Sequence, residues 1–251
     1  MTAADLLAAL ELPASVRVDQ RVPKKLLLEN GAPTAADKRA INDGIEAILW
    51  LAALKPATVG VPAYRDETRE YLEIAVLQAV WREGAKTARL IELIHRAIPY
   101  PVVLLAERSS DTTLSLAAKR WAQNEAGKMV LDGEVIETTL VGVRPDIAQA
   151  FARALPLASQ PRASMLALYR GWENAVIALQ AAELTGTFAL PESDDRAALR
   201  RTALGVVEKL QDRIVELRRA AEHTSQMARQ VELNLELQRA RAELAAAQAQ
   251  L

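Results

Sequence analysis

Glu73, Glu107 and Lys119 come nearest, among the residues of this chain, to a metal-dependent nuclease. Such a site needs one acidic side chain, then Glu-x-Lys on a neighbouring strand, so that two carboxylates hold Mg²⁺ and the lysine helps activate water. The position two before Lys119 is Ala117, which offers no oxygen, so the second carboxylate is missing. Structural ion pairs between strands account for the three residues more simply. The two histidines, His95 and His223, fall in separate helical segments, and no pair stands at metal-ligand spacing. There is no GxxxxGK[ST] loop, no GxGxxG after a strand and no GxSxG elbow. No catalytic residue, metal or cofactor is therefore expected, and any ATPase activity would belong to a partner.

Phosphate binding is the other chemistry the side chains offer. Arg17, Arg21, Lys24 and Lys25 cluster near the N-terminus, and Lys119-Arg120-Trp121 sets two cations beside a ring that can stack. Against this, 31 basic and 32 acidic side chains nearly cancel, so no global field draws in a polyanion, and solvated surface is the simpler account. Cysteine is absent, which removes disulfides and thiolate chemistry together and suits a reducing compartment. The N-terminal MTAADLLAALELPAS has acidic residues where a secretory signal needs basic ones, and no apolar run spans a bilayer. A cytoplasmic protein without membrane contact is expected.

The elements that must hold these residues point to an α+β fold: a small mixed or antiparallel sheet packed with helices, followed by a long C-terminal helix or coiled coil. With 51% hydrophobic, 25% charged and only 4% aromatic residues, the core should be built from Leu, Ala, Ile and Val, with the tryptophans as core anchors. Thr2 caps a first short helix, and residues 13–22 read as extended or looped chain. Pro23 opens a second helix, and Gly31 suits the left-handed turn that ends it. A third helix is expected over 33–54, with Ile41, Ile45, Ile48 and Leu49 facing the core and Asp37, Lys38, Arg39 and Asp43 outside. Residues 58–61 suit a short strand. Residues 69–82 are apolar on both alternating faces, and periodicity alone leaves strand and helix open there.

Residues 86–98 form an amphipathic helix closed by Pro99, followed by the apolar run VVLLAE. A turn at Ser109-Ser110-Asp111 leads into TTLSLAA as a partner strand, and Asp132-Gly133, between MVL and EVIETTLV, reads as a tight hairpin. Helices return over 145–154 and 161–184. The expected division is a globular body over 1–192 and a helical arm over 193–251. The arm has no proline and only Gly205, and as one helix it would be on the order of 85 Å long, more than a small body covers. Its heptads place Ala203, Leu210, Leu217, Thr224, Val231 and Gln238 at one seam position and Val207, Ile214, Ala221, Ala228 and Leu235 at the other. The seam weakens at Thr224, which fits either an imperfect continuous coiled coil or a hairpin bent at His223-Thr224-Ser225. With no Gly or Pro at the bend, the straight helix is favoured.

Three blocks occur in fixed order: LPASVRVDQRVPKKLLLEN, IELIHRAIPYPVVLLAE and QMARQVELNLELQRARAEL. Together they resemble the domain of unknown function 4391 family. The most specific pieces are Ala97-Ile98-Pro99-Tyr100 and Gln230-Val231-Glu232-Leu233-Asn234, while Leu27 or Leu28 stands where the family pattern has an aromatic, and Met227-Ala228 where it has a bulkier pair. The resemblance implies a strand over 69–82. It also implies a bacterial protein encoded beside helicase and DNA methyltransferase genes of restriction-like or anti-phage clusters, with no established catalytic activity. The resulting expectation is a non-enzymatic interaction subunit. Its partner, a helicase or methyltransferase subunit or a second copy, would bind through Val207, Leu210, Ile214, Leu217, Val231, Asn234 and Leu235. Nucleic-acid contact through Arg17, Arg21, Lys24, Lys25, Lys119 and Arg120 is the alternative, with an atypical nuclease behind it.

Overall fold

Short segments with explicit stops build the first part of the chain. The computed structural model describes residues 1–109, 111–125, 127–224 and 226–251. It opens with α1 (Ala3–Ala9), where Thr2 and Asp5 satisfy each other's backbone N–H in a capping box. Then follow β1 (Arg17–Arg21), α2 (Lys24–Asn30), α3 (Ala35–Gly44), β2 (Ile45–Leu54), α4 (Pro56–Val59), β3 (Tyr64–Arg65), β4 (Glu70–Tyr71) and β5 (Ile74–Trp81). α5 (Thr87–Ala97) leads to β6 (Val102–Arg108), β7 (Asp111–Leu116), β8 (Lys119–Trp121), β9 (Met129–Leu131) and β10 (Ile136–Thr139). The remainder is helical: α6 (Pro145–Arg153), α7 (Met165–Thr185), α8 (Asp194–His223) and α9 (Met227–Gln248). Two compact units, Met1–Val176 and Ile177–Leu251, divide within α7.

The fold is α+β, with a mixed six-stranded sheet in the order β1-β2-β5-β6-β7-β10. β5 and β6 run parallel with α5 as their crossover, and the other neighbours are antiparallel. β5 is the strand the resemblance implies, and its ambiguity has a physical cause. It is central, so six of its eight residues are buried and no polar face alternates with an apolar one. On one face, Ala75, Leu77, Ala79 and Trp81 pack with Leu90, Ile91 and Ile94 of α5 and with Leu27 of α2 and Ile41 of α3. The alternate residues of β5 and β6, including Gln78 and Glu107, point to the opposite face, where α1 packs on β6.

Five local expectations are corrected. The helix expected over 33–54 ends at Gly44, and β2 takes the rest. Ile45 and Ile48 do share the core, but through a bulge: two steps along β2 from Ile45 to Ala47 match one along β5 from Trp81 to Val80. The extra residue turns a three-residue spacing onto one strand face and imitates a helix period. A Cβ on Gly44 would lie 2.7 Å from Leu90 Cδ1, so the glycine lets α5 approach. Asp37 is buried rather than outside, gripped by the Arg89 fork at 2.8 and 3.0 Å and by Thr34 Oγ1 at 2.7 Å. Those bonds, Arg89 first, hold its carboxyl down at about 2.

Residues 56–59 form a helical turn closed by Gly60 at φ +64, not a strand. Gly31 has φ −119, so it is not a left-handed cap; a Cβ there would meet Leu93 O at 2.6 Å and Ala97 Cβ at 2.7 Å. Its role is close packing of α2 on α5. Finally, Asp132-Gly133 joins no hairpin. Gly133 has φ +95, but Asp132 is not among the positive-φ residues, and a type I′ turn needs both. β9 therefore pairs with β8, while β10 pairs with β7. Asp132 instead receives Arg69 Nε and Nη2 at 2.9 and 2.6 Å. β6 and β7 pair as far as Arg108 opposite Asp111. Ser109 has φ +53, and Ser110 of the expected turn lies outside the described residues.

Candidate functional site

Lys119 begins β8 and is completely buried. Its Nζ donates to the carbonyls of His95 and, at 2.9 Å, of Ile98, both at the C-terminal end of α5. A helix end leaves such carbonyls unpaired, and the Lys119 N–H groups satisfy two of them. Tyr71 Oη accepts the Lys119 backbone N–H at 3.0 Å, and Tyr169 Oη accepts that of Ala117 at 2.8 Å while donating to Val102 O at 2.7 Å. His95 Nε2 lies 3.0 Å from Ser115 Oγ.

Burial pushes the Lys119 ammonium down to about 7. It pushes His95 down to about 3, with the Lys119 charge adding to the effect. Burial also raises both tyrosines. Lys119, His95 and Ser115 have no solvent-exposed surface, so no substrate reaches them. The cluster ties the start of β8 to the end of α5.

That placement separates the nuclease candidates. Glu73, just before β5, pairs with Lys55 at 3.4 Å. Glu107 lies near the far end of the β6–β7 ladder, where Oε1 accepts the Ala3 N–H at 3.0 Å and Oε2 the Gln78 amide at 2.8 Å. Among the described residues no group of three or more Asp, Glu or His side chains is placed to hold a metal.

The phosphate candidates divide in the same way. Lys119 is corrected: buried beneath α5, it cannot meet a phosphate. Arg120 Nη1 donates to Trp121 O at 3.1 Å and Nε lies 3.7 Å from Asp132. Arg17 pairs with Asp19 at 2.9 Å and Lys25 with Glu29 at 3.7 Å. Lys24 donates to Asn42 O at 3.0 Å and to Ile45 O, and burial, then the charges of Arg82 and Arg21, lower its ammonium. Arg82 is the member sequence reading missed, because it joins Arg21 and Lys24 only when β5 ends beside the start of β2.

The C-terminal region resolves into an antiparallel hairpin, which corrects the straight helix. α8 ends at His223, with Thr224 extended at φ −92, ψ 132, and α9 starts after Gln226, also extended at φ −88, ψ 112. Ser225 of the expected bend lies outside the described residues. Extended backbone at two ordinary residues ends a helix without glycine or proline, so the sequence carried no breaker. Ile214, Leu217 and Ala221 of α8 pack with Leu233, Leu237 and Ala240 of α9. Arg200 Nε of α8 donates to Leu251 O at 3.1 Å and fastens the open end.

The seven proposed docking residues consequently part company. Val207, Ile214 and Leu217 are buried and Leu210 is half-buried, so the firmest part of the seam is not free for a partner. Asn234 is exposed, Val231 is 57% exposed and Leu235 51%, with Met227 beside them at 80%. The heptad phase changes at the bend, so residues expected in the seam face outward on α9 while Leu233 and Leu237 take the inside.

No helix among the described residues is long and apolar enough to cross a membrane. Neither the curated proteins nor the solved structures provide a match to this chain. Residues 10–244 match the family described as Domain of unknown function (DUF4391), covering the three sequence blocks and the hairpin seam, and the chain belongs to that family.

Proposed function

We propose that this chain is a non-enzymatic subunit that joins a protein assembly through the outward face of α9. One observation carries the reading: Met227, Val231 and Leu235 recur every four residues on the exposed side of a helix whose other side is already buried against α8. Large apolar side chains in line are costly to leave in water, and a helix with two apolar stripes belongs in a bundle. The assembly is of the bacterial restriction-like or anti-phage kind that the sequence resemblance implies, with catalysis in a helicase or methyltransferase subunit.

Val231→Asp combined with Leu235→Asp is expected to weaken association by roughly tenfold or more, because charge in a packed contact is costly. Far-UV circular dichroism should still report a folded chain, since both positions are exposed within it. Unaltered mass in solution and unaltered partner capture would overturn the reading.

A second reading, contact with nucleic-acid phosphates, is favoured by Arg21, Lys24 and Arg82, which gather with no carboxylate ion-pair partner among the described residues. Under it, duplex binding falls steeply with salt, and Arg21→Ala with Arg82→Ala makes the slope of log K against log salt shallower by about two. Binding that ignores salt would sink this alternative.

A further inference from the structure

We infer that the outward face of α9 pairs antiparallel with the same face of a second copy of this chain, so that two hairpins form a bundle. This rests on the reading of that face as a docking surface. Ala228, Val231, Leu235, Gln238, Ala242 and Ala245 are all exposed and spaced by alternating steps of three and four, the coiled-coil repeat. Leu233, Leu237, Ala240 and Leu244, on the inner side, keep the same alternation and are held by α8. α9 is thus seamed twice, and among the described residues only the inner seam is filled.

The charges beside the open seam favour another copy as its occupant and choose the register. Set antiparallel, Leu235 of one helix meets Gln238 of the other, Val231 meets Ala242 and Ala228 meets Ala245, so every layer pairs a larger side chain with a smaller one or two alanines. This register is centred on the middle of α9 (Met227–Gln248), so nearly every turn is covered. On one flank Glu232 comes beside Arg239 of the second copy, and the two-fold symmetry makes that pair twice. On the other flank Asn234 meets Arg241. A slip of one heptad in one direction sets Glu232 against Glu232, and in the other Arg239 against Arg239. Like charges thus block both neighbouring registers.

Within the chain these charges are free to turn to a partner. Arg239 and Arg241 have no ion-pair partner among the described residues, and Glu232 is held only by Arg229, in an exposed pair at 2.9 Å. Such a pair contributes little and is readily exchanged. Glu236, by contrast, is already engaged across the hairpin with Arg213 at 3.6 Å.

Light scattering on the purified full-length chain, over micromolar to tens of micromolar concentrations, tests the pairing. The expected mass is that of two chains. Glu232→Arg alone and Arg239→Glu alone should each weaken the dimer by roughly tenfold or more, and the two together should restore it, because the swapped pair is again complementary. A wild-type chain that stays monomeric, or a dimer indifferent to both single changes, overturns the pairing. If the monomeric chain still lost partner capture on Val231→Asp with Leu235→Asp, self-pairing would fall while the broader docking reading stood.

Discussion

Lys119→Met is expected to abolish most of a stability gain that the wild-type protein shows between about pH 7 and pH 9.5. The folded protein holds the Lys119 ammonium near 7 against an ordinary 10.5, and burial is the cause. Between those values the unfolded chain keeps a proton that the folded one has released, so the unfolded state binds more protons and stability rises with pH. One such group contributes about 1.4 kcal/mol per pH unit, and roughly 3 kcal/mol across this window. The upper bound is set by Tyr71 and Tyr169, whose burial raises them. Once unfolded tyrosines ionise, near pH 10, those two pull stability the other way. Methionine keeps an unbranched stem in the same space and cannot titrate. It also leaves the carbonyls of His95 and Ile98 without this donor, so the informative quantity is the slope with pH rather than stability at one pH. Urea melts at pH 7, 8 and 9 give that slope, and equal slopes in both proteins would refute the assignment of a desolvated ammonium at this site.

Lys119 also marks where the sequence stops being readable. A lysine two after an alanine on a short strand looks like surface or, in a nuclease, like chemistry; that its ammonium caps α5 depends on a contact between residues 95–98 and 119, which no local pattern encodes. Once that contact is known, the Ala97-Ile98-Pro99-Tyr100 motif has a physical reading. Ala97 packs beneath Gly31, the Ile98 carbonyl receives Lys119, and the Tyr100 ring lies 6.4 Å from that of Trp50. Helices with caps or proline starts were legible: Thr2 before α1, Pro23 before α2 and Pro145 opening α6 each act through their own backbone. Features set by pairing were not. The bulge at Ile45 is visible only against β5, and the divergent partners of β9 and β10 outweigh a good turn dipeptide at Asp132-Gly133. In the hairpin, Ile214, Leu217 and Ala221 of the α8 heptads lie in the seam, while Leu210 is half-buried and outside that cluster. Their phase does not carry over into α9, because extended backbone at Thr224 and Gln226 resets the helix rotation.

That reset leads to the second large effect, a contrast between two leucines two positions apart. Leu237→Asp should open the hairpin, whereas Leu235→Asp should leave its helices intact. Leu237 packs among Ile214, Leu217, Leu233 and Ala240, so aspartate there removes about 2 kcal/mol of apolar burial and places a carboxylate where no cation of the cluster meets it. Among the described residues this seam is the main contact between α8 and α9, with the exposed Arg213–Glu236 pair and the Arg200–Leu251 bond at the open end adding little. Neither helix has more than a low intrinsic tendency to persist in water without tertiary packing. The far-UV helical signal of Leu237→Asp should therefore fall by up to the share of α9's 22 residues, with fraying of α8 beyond it, and protease should cut within residues 226–251. Leu235 is half in water already, and the same substitution there costs the hairpin almost nothing. A continuous helix carrying the sequence heptads unbroken requires the opposite order, since it puts Leu235 in the seam and Leu237 outside. Equal or inverted losses of helicity would thus discard the hairpin, and with it the outward face on which both the docking and the self-pairing depend.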